Sequence, residues 1–224
     1  MTRGILIVGA ESSLSLALAA EAGKRVEQYA TALIPNRLTA PGQPVFAEQS
    51  EKHSRIILAW NPGSPLSART MLIAAQTRLE RIDEIFLVCT PPVIRGQMED
   101  IKPLHIEVVI CDYIKSWFFV VKELCSILKS QGSGTVVPVL SEPASETSRG
   151  ETTDLVGPTV AASFRSIVQG LLSASSGKPY QVLAFSSESG EDAAFAAHIF
   201  KIIEEGNRRN TGKWHKYGKL GLFR

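Results

Sequence analysis

The chain predicts a doubly wound α/β domain built on a parallel sheet. Three observations carry this expectation. Short apolar runs alternate with longer stretches at helical spacing along most of the 224 residues. The run over 84–89, E-I-F-L-V-C, is almost continuously apolar, as a strand covered by helices on both faces must be. The connections between most runs are short, which favours repeated β-α units over separate layers.

The elements follow in order. An apolar run over 4–10 ends near Gly9 and reads as the first strand, and a Leu/Ala-rich stretch over 13–24 reads as a helix. A second strand is expected within 25–33, stopping near Pro35. Residues 35–53, rich in Pro, Gly, Gln and Glu, read as a loop. S-R-I-I-L-A-W over 54–60 is a strand closed by Asn61-Pro62-Gly63. Ser64 then offers an N-cap and Pro65 a first helical residue, with apolar spacing continuing over 66–79. After the 84–89 strand, stopped by Pro91-Pro92, a long helix is expected over 108–130. A strand over 135–140, a polar loop over 142–157, a helix over 160–173, a strand over 181–185 and a helix over 191–205 complete the pattern. The expectation is one domain over 1–224, with a basic segment at 207–224.

Composition narrows the function classes. Hydrophobic residues make up 44% and charged residues 21%, which suits an ordinary packed core. A net charge of +2 is too small to argue for nucleic acid or a membrane surface. Cys89, Cys111 and Cys125 show no C-x-x-C spacing and sit in apolar stretches, so free thiols in a reducing, cytoplasmic setting are expected. The run after Arg3 is too short for a secretory signal, and no apolar run reaches the ~18 residues of a membrane span. His53, His105, His198 and His215 are scattered without metal-ligand spacing, so no metal site is expected.

The start of the chain is its most informative motif. Residues 4–19 read G-I-L-I-V-G-A-E-S-S-L-S-L-A-L-A, the strand–turn–helix that opens a dinucleotide-binding unit. Such a turn uses three glycines, so that backbone N–H groups approach a pyrophosphate. Here Gly9 remains, Ser13 and Ser15 take the other two places, and Glu11 adds a negative charge.

With this opening, the order of elements resembles the short-chain dehydrogenase/reductase family over nearly the whole chain. The family's T-G-x-x-x-G-x-G aligns with Val8 to Ser15, and the Asp ending its third strand aligns with Asn61. Its N-N-A-G aligns with V-C-T-P-P over 88–92, and its helical Asn with Asp112 or Tyr113. Its catalytic Ser aligns with Ser141 in G-T-V-V-P-V-L-S. Its Y-x-x-x-K aligns so that Ala161 takes the Tyr position and Arg165 the Lys position. A C-terminal T-G motif matches Thr211-Gly212.

The resemblance implies a Rossmann fold and, in a working member, NAD(P)-dependent hydride transfer with a Tyr exchanging the proton. Ala161 cannot exchange a proton, so Ser141 and Arg165 lack their partner. Tyr113 and Tyr180 are the remaining candidate donors. Gly9, Ser13, Ser15 and Asn61 are the candidate cofactor residues, with Asn61 equally suited to a turn before Pro62. Arg37, after the second strand, either meets a 2′-phosphate or stays solvated. The serines at the helix start would also suit a small anion.

The 108–130 stretch is apolar over more than one face. Ile110, Ile114, Trp117, Phe118, Val121, Cys125 and Leu128 form one stripe, and Phe119, Val120, Leu124 and Ile127 widen it. Val160, Phe164, Ile167, Val168, Leu171 and Leu172 give the 160–173 helix a similar character. In the resembled family these two helices form a four-helix dimer interface. A homodimer, or pairing with a related subunit, is therefore expected, with Ile114, Trp117, Phe118, Val121, Phe164 and Val168 at the interface. The leading expectation is a relative without cofactor or catalysis, acting as a structural or regulatory protein–protein interaction subunit. The alternative is a divergent NAD(P)-dependent oxidoreductase acting on a carbonyl or alcohol.

Overall fold

The computed structural model describes residues 3–35, 37–38, 54–142, 154, 156–206 and 210–218. The 35–53 and 142–157 loops thus lie largely outside the described residues, as do His53, Arg208, Arg209 and Lys219.

The fold is a Rossmann-type α/β sandwich. Strand β1 (Ile5–Ala10) leads to helix α1 (Ser13–Gly23), then come β2 (Gln28–Ile34), β3 (Ser54–Ile57), α2 (Pro65–Leu79) and β4 (Glu84–Cys89). Helix α3 (Pro103–Val108) runs through a π-helical segment (Val109–Lys115) into α4 (Ser116–Gln131). The chain continues through β5 (Thr135–Ser141), α5 (Gly157–Ala174), β6 (Gln181–Val182), β7 (Ala184–Ser187), α6 (Asp192–Glu204) and β8 (Trp214–Tyr217). The strands lie in the order β3-β2-β1-β4-β5-β7-β8, with β6 beside β5, and among the described residues these strands pair in parallel.

All strands therefore end on the same edge. The chain works outward from β1 to β3 and then returns to β4 on the other side of β1. The gap between β1 and β4 is the topological switch point, where open α/β sheets bind ligands.

Two cores hold the helices to the sheet. On one face α2, α4 and α5 pack through Met71, Leu72, Trp117, Leu124, Phe164 and Val168. On the other, α1 and α6 pack through Leu14, Leu18, Ile199 and Phe200 against Phe86 and Phe185. Cap chemistry sets several boundaries. Ser67 N–H donates to Ser64 Oγ at 3.2 Å with Pro65 following, as the sequence suggests. The Asp154 carboxylate accepts from Val156 and Gly157 N–H at the start of α5.

Several boundaries move. The second strand begins at Gln28, and the third stops at Ile57. Trp60, read as a strand end, instead donates its indole N–H to the Ala32 carbonyl at 3.1 Å. The 181–185 run extends to Ser187 but is broken at Leu183 into β6 and β7.

The largest correction concerns the long helix. It begins at Pro103 and includes a π-helical segment. The buried face is Val109, Tyr113, Trp117, Val120, Leu124 and Leu128. Most of the stripe read from sequence lies one residue round. Ile110 and Phe118 are exposed, while Ile114, Val121 and Cys125 are half-buried. Of the six expected interface residues, Trp117, Phe164 and Val168 are buried within the chain itself. Trp117 packs edge-on against Phe164, with ring centroids 5.2 Å apart.

Candidate functional site

Most of the candidate residues follow strand ends on one edge of the sheet, with partners that sequence separation hides. The turn after β1 comes first. Gly9 lies inside β1 in register with Val88, and a Cβ there would sit 2.3 Å from the Val88 carbonyl oxygen. Close approach of the two central strands therefore requires this glycine, whatever the turn binds.

The serines that replace the other glycines cap α1. Ser12 Oγ accepts from Ser15 N–H at 3.1 Å, and Ser15 Oγ accepts from Ser12 N–H at 2.9 Å. This reciprocal box satisfies N–H groups that would otherwise face a ligand. Ser13 Oγ donates to Asp192 Oδ2 in the first turn of α6, tying the two helix starts together. Thr90, just past β4, donates to Ser12 Oγ at 3.1 Å, so a hydroxyl contact spans the switch point. Glu11 is held by its backbone N–H to the Ile34 carbonyl at 2.8 Å, and its Oε1 is shielded without a hydrogen-bond partner.

Asn61 folds back on its own turn. Its Oδ1 accepts from Gly63 N–H at 3.0 Å, and its N–H donates to Ser67 Oγ at 2.7 Å. This is an Asx-turn leading into α2, and it commits the side-chain oxygen.

Arg37 is exposed, with 54% of its side chain open to solvent, and is also paired. Its Nε and Nη2 meet the two oxygens of Asp112 at 2.9 and 2.5 Å, a two-pronged contact from the end of β2 to the π-helical segment. The Asp112 side chain is only 2% exposed. Hydrogen bonding to Asp112 raises the Arg37 guanidinium above its ordinary value, ahead of an opposing burial effect.

Tyr113, next in sequence, is buried. Burial pushes its phenol well above the ordinary range, and the neighbouring Asp112 and Cys89 add to this. A proton-exchanging Tyr needs the opposite shift. Tyr180 is pushed up to about 12 by burial and its hydrogen bond with Cys125. It precedes β6, whose Gln181 N–H bonds the Gly134 carbonyl at the opposite edge of the sheet, so it stands away from the switch point.

The third group surrounds the end of β5. Ser141 is half-buried in register with Ser187, and the next residue, Glu142, bonds the Ser187 carbonyl through its N–H at 2.8 Å. The Glu142 carboxylate forms an ion pair with Arg165 Nη2 and accepts from its Nε at 3.3 Å. The carboxylate side chain is 9% exposed and the guanidinium side chain 46%. Ala161, one helical turn earlier on α5, is fully buried. Cys89 is also buried, and desolvation pushes its thiol far above its ordinary value despite the Arg165 charge.

Sequence reading did not single out Glu142, Asp192 or Thr90. Their partners lie 23, 179 and 78 residues away, and no local spacing signals such pairs. Among the described residues no group of three or more His, Cys, Asp and Glu side chains is arranged to hold a metal. No described helix is long and apolar enough to cross a membrane.

The comparisons with known proteins agree with this architecture. No protein-family model matches the chain, and no curated protein matches it in sequence. Solved structures do match in shape. A short chain dehydrogenase from Mycobacterium smegmatis superposes with a TM-score of 0.75 at 10% identity, covering 99% of this chain and 93% of that one. A candidate oxidoreductase from Escherichia coli str. K-12 superposes with a TM-score of 0.71 at 12% identity, covering 96% and 94%. The protein has the Rossmann-type fold of the short-chain dehydrogenases, over essentially its full length.

Proposed function

We propose that this chain uses the short-chain dehydrogenase fold as a structural or regulatory protein–protein interaction subunit, without hydride-transfer chemistry. The observation that carries the reading is the Arg165–Glu142 ion pair beside a buried Ala161. At the matched positions a dehydrogenase needs a cation free to lower the pKa of a Tyr and hold a ribose. Here the cation is already paired, and a methyl group stands where the phenol is required.

A dinucleotide does not fit the residues at the phosphate turn. The Ser12/Ser15 box occupies backbone donors, Thr90 links to Ser12 across the switch point, and Glu11 and Asp192 place two carboxylates beside it. Arg37, the candidate for a 2′-phosphate, is committed to Asp112. Gly9 supports strand packing and lends no separate support to nucleotide binding.

The interaction half of the reading rests on the outer face of α3 and α4. Phe118 is 59% exposed, and Ile110, Ile106 and Leu104 are exposed on the same helical stretch. A run of large apolar side chains left in water marks an association surface. Pairing of two copies is assigned to this face, with Ile114 and Val121 at its half-buried margin. The free thiols Cys89, Cys111 and Cys125 suit a reducing, cytoplasmic compartment.

Phe118→Glu tests the surface. The exposed position tolerates the charge in the monomer, so folding should be unchanged. Light scattering on the wild-type chain should report a dimer, and the variant should dissociate with a Kd raised by at least ~100-fold. A wild-type monomer, or a variant dimer of unchanged affinity, contradicts the assignment.

A further inference from the structure

The helical stretch from Pro103 to Gln131 is held near its middle by a contact from outside it. Asp112 stands in the π-helical segment Val109–Lys115, and its side chain is 2% exposed. Arg37 reaches it from beyond the end of β2 and meets both carboxylate oxygens, at 2.9 and 2.5 Å. The two ends of this contact differ in kind. The Asp112 end is fixed. Val109 and Tyr113 are buried in the same segment, and the Ser116 hydroxyl donates to the Asp112 carbonyl at 2.7 Å. The Arg37 end lies outside every helix and strand, with 54% of its side chain open to water.

We propose that this pair is a latch on the association surface. While Arg37 holds Asp112, the π-helical segment keeps its shape and the exposed face of α3 and α4 is presented for pairing. When Arg37 leaves, the segment opens locally and pairing weakens. The proposal rests on the reading that this face associates.

Three observations support it. Charge comes first. Removing one partner of a buried ion pair leaves the other charge uncompensated. Asp112 is closed to water where it stands, so the segment that carries it must move to hydrate it. The second is the backbone. A π-helical run is rarer and less favourable than an α-helical one, and packing around it must hold it in place. Seven residues in this conformation put the weakest part of the helix where Arg37 attaches. The third is continuity. Leu104 and Ile106 precede the segment, Ile110 lies within it, and Phe118 follows it, all exposed. An opening between them divides the apolar run that these four side chains form. A movable cation on a fixed acceptor also gives the two discrete arrangements that coupling between two places requires.

The test is hydrogen exchange at the amides of 109–115, measured on the full chain together with the dimer Kd. Arg37→Met keeps an aliphatic stem and removes the charge. It should speed exchange in this segment by about tenfold or more, leave the β4 and β5 amides unchanged, and raise the dimer Kd by about tenfold or more. Adding Asp112→Asn removes the buried charge and should return both readings to within about threefold of wild type. This rescue also answers a folding defect in the single variant. Unchanged exchange in Arg37→Met, exchange that quickens equally across the sheet, or faster local exchange with an unaltered Kd each overturns the latch. So does a double variant as loose as the single one. A monomeric wild type overturns the association reading and the latch's control of it. Exchange that still depends on Arg37 in that monomer would place the failure in the surface rather than in the pair.

Discussion

Replacing Trp117 by alanine should cost about 3–5 kcal/mol of folding stability, the range for truncating a large buried aromatic. Trp117 is the hinge of the larger core. It sits one residue past the junction of the π-helical segment with α4, is 2% exposed, and packs edge-on against Phe164 of α5. Removing the indole leaves a cavity between the two helices that the sheet below cannot fill. Trp117→Phe provides the control. The indole Nε1 is buried without a partner, so its loss carries no broken hydrogen bond. The phenyl ring keeps most of the contact with Phe164, and the expected cost is below about 1.5 kcal/mol. Urea unfolding of the three proteins, read as midpoint shifts at constant slope, gives the comparison. A Trp117→Ala variant as stable as wild type would mean that this residue does not hold α4 to α5. A stable variant that changed oligomeric state instead would return Trp117 to the interface.

Gly9→Ala should be the second large effect, on the order of 3 kcal/mol or more. The added Cβ would lie 2.3 Å from the Val88 carbonyl oxygen, closer than any relaxed contact. The obstacle is backbone in the middle of the sheet, so no rotamer change relieves it. β1 and β4 must separate, and the separation disturbs the pairing from Ile5 to Val88. The direction of this result bears on function. A glycine needed only for a phosphate would be replaced with little change in stability, because the turn would remain unstrained. A large loss in the protein without added nucleotide shows a structural requirement. Thermal unfolding without nucleotide decides between them.

The fold was legible because each layer repeats a periodic signal. The 84–89 run shows burial on both faces, Ser64-Pro65 marks a helix start, and the β-α alternation fixes the parallel sheet. Helix phase was less accessible. The stretch is apolar on more than one face, so stripes one residue apart read equally well; the core takes Val109, Tyr113, Trp117 and Leu124, while Ile110 and Phe118 face outward. Periodicity alone does not choose between two such stripes. The strand 54–60 was overread for a different reason. Its last residues are apolar because Trp60 packs and bonds across to Ala32, not because the ladder continues.

At the candidate site, residue types were legible and partners were not. Arg37 and Asp112 are 75 residues apart, and their pairing follows from β2 ending beside the helix that covers the sheet. Arg165 could be placed on α5, but Glu142 sits at the end of β5 and meets it only after both elements pack on the same edge. The serines at the α1 start show the same limit. Their composition suits either an anion or a cap, and the reciprocal bonds of Ser12 and Ser15 decide for the cap.

The most direct test of the central claim is a thermal melt of the purified chain with millimolar NAD⁺, NADH, NADP⁺ or NADPH. A ligand at 100 times its Kd adds about 2.7 kcal/mol to the folded state, which is roughly 5–10 °C for a domain of this size. The account predicts no rise with any of the four. A reproducible rise of several degrees with one of them would contradict it, and would make this chain a cofactor-binding member of the fold it shares.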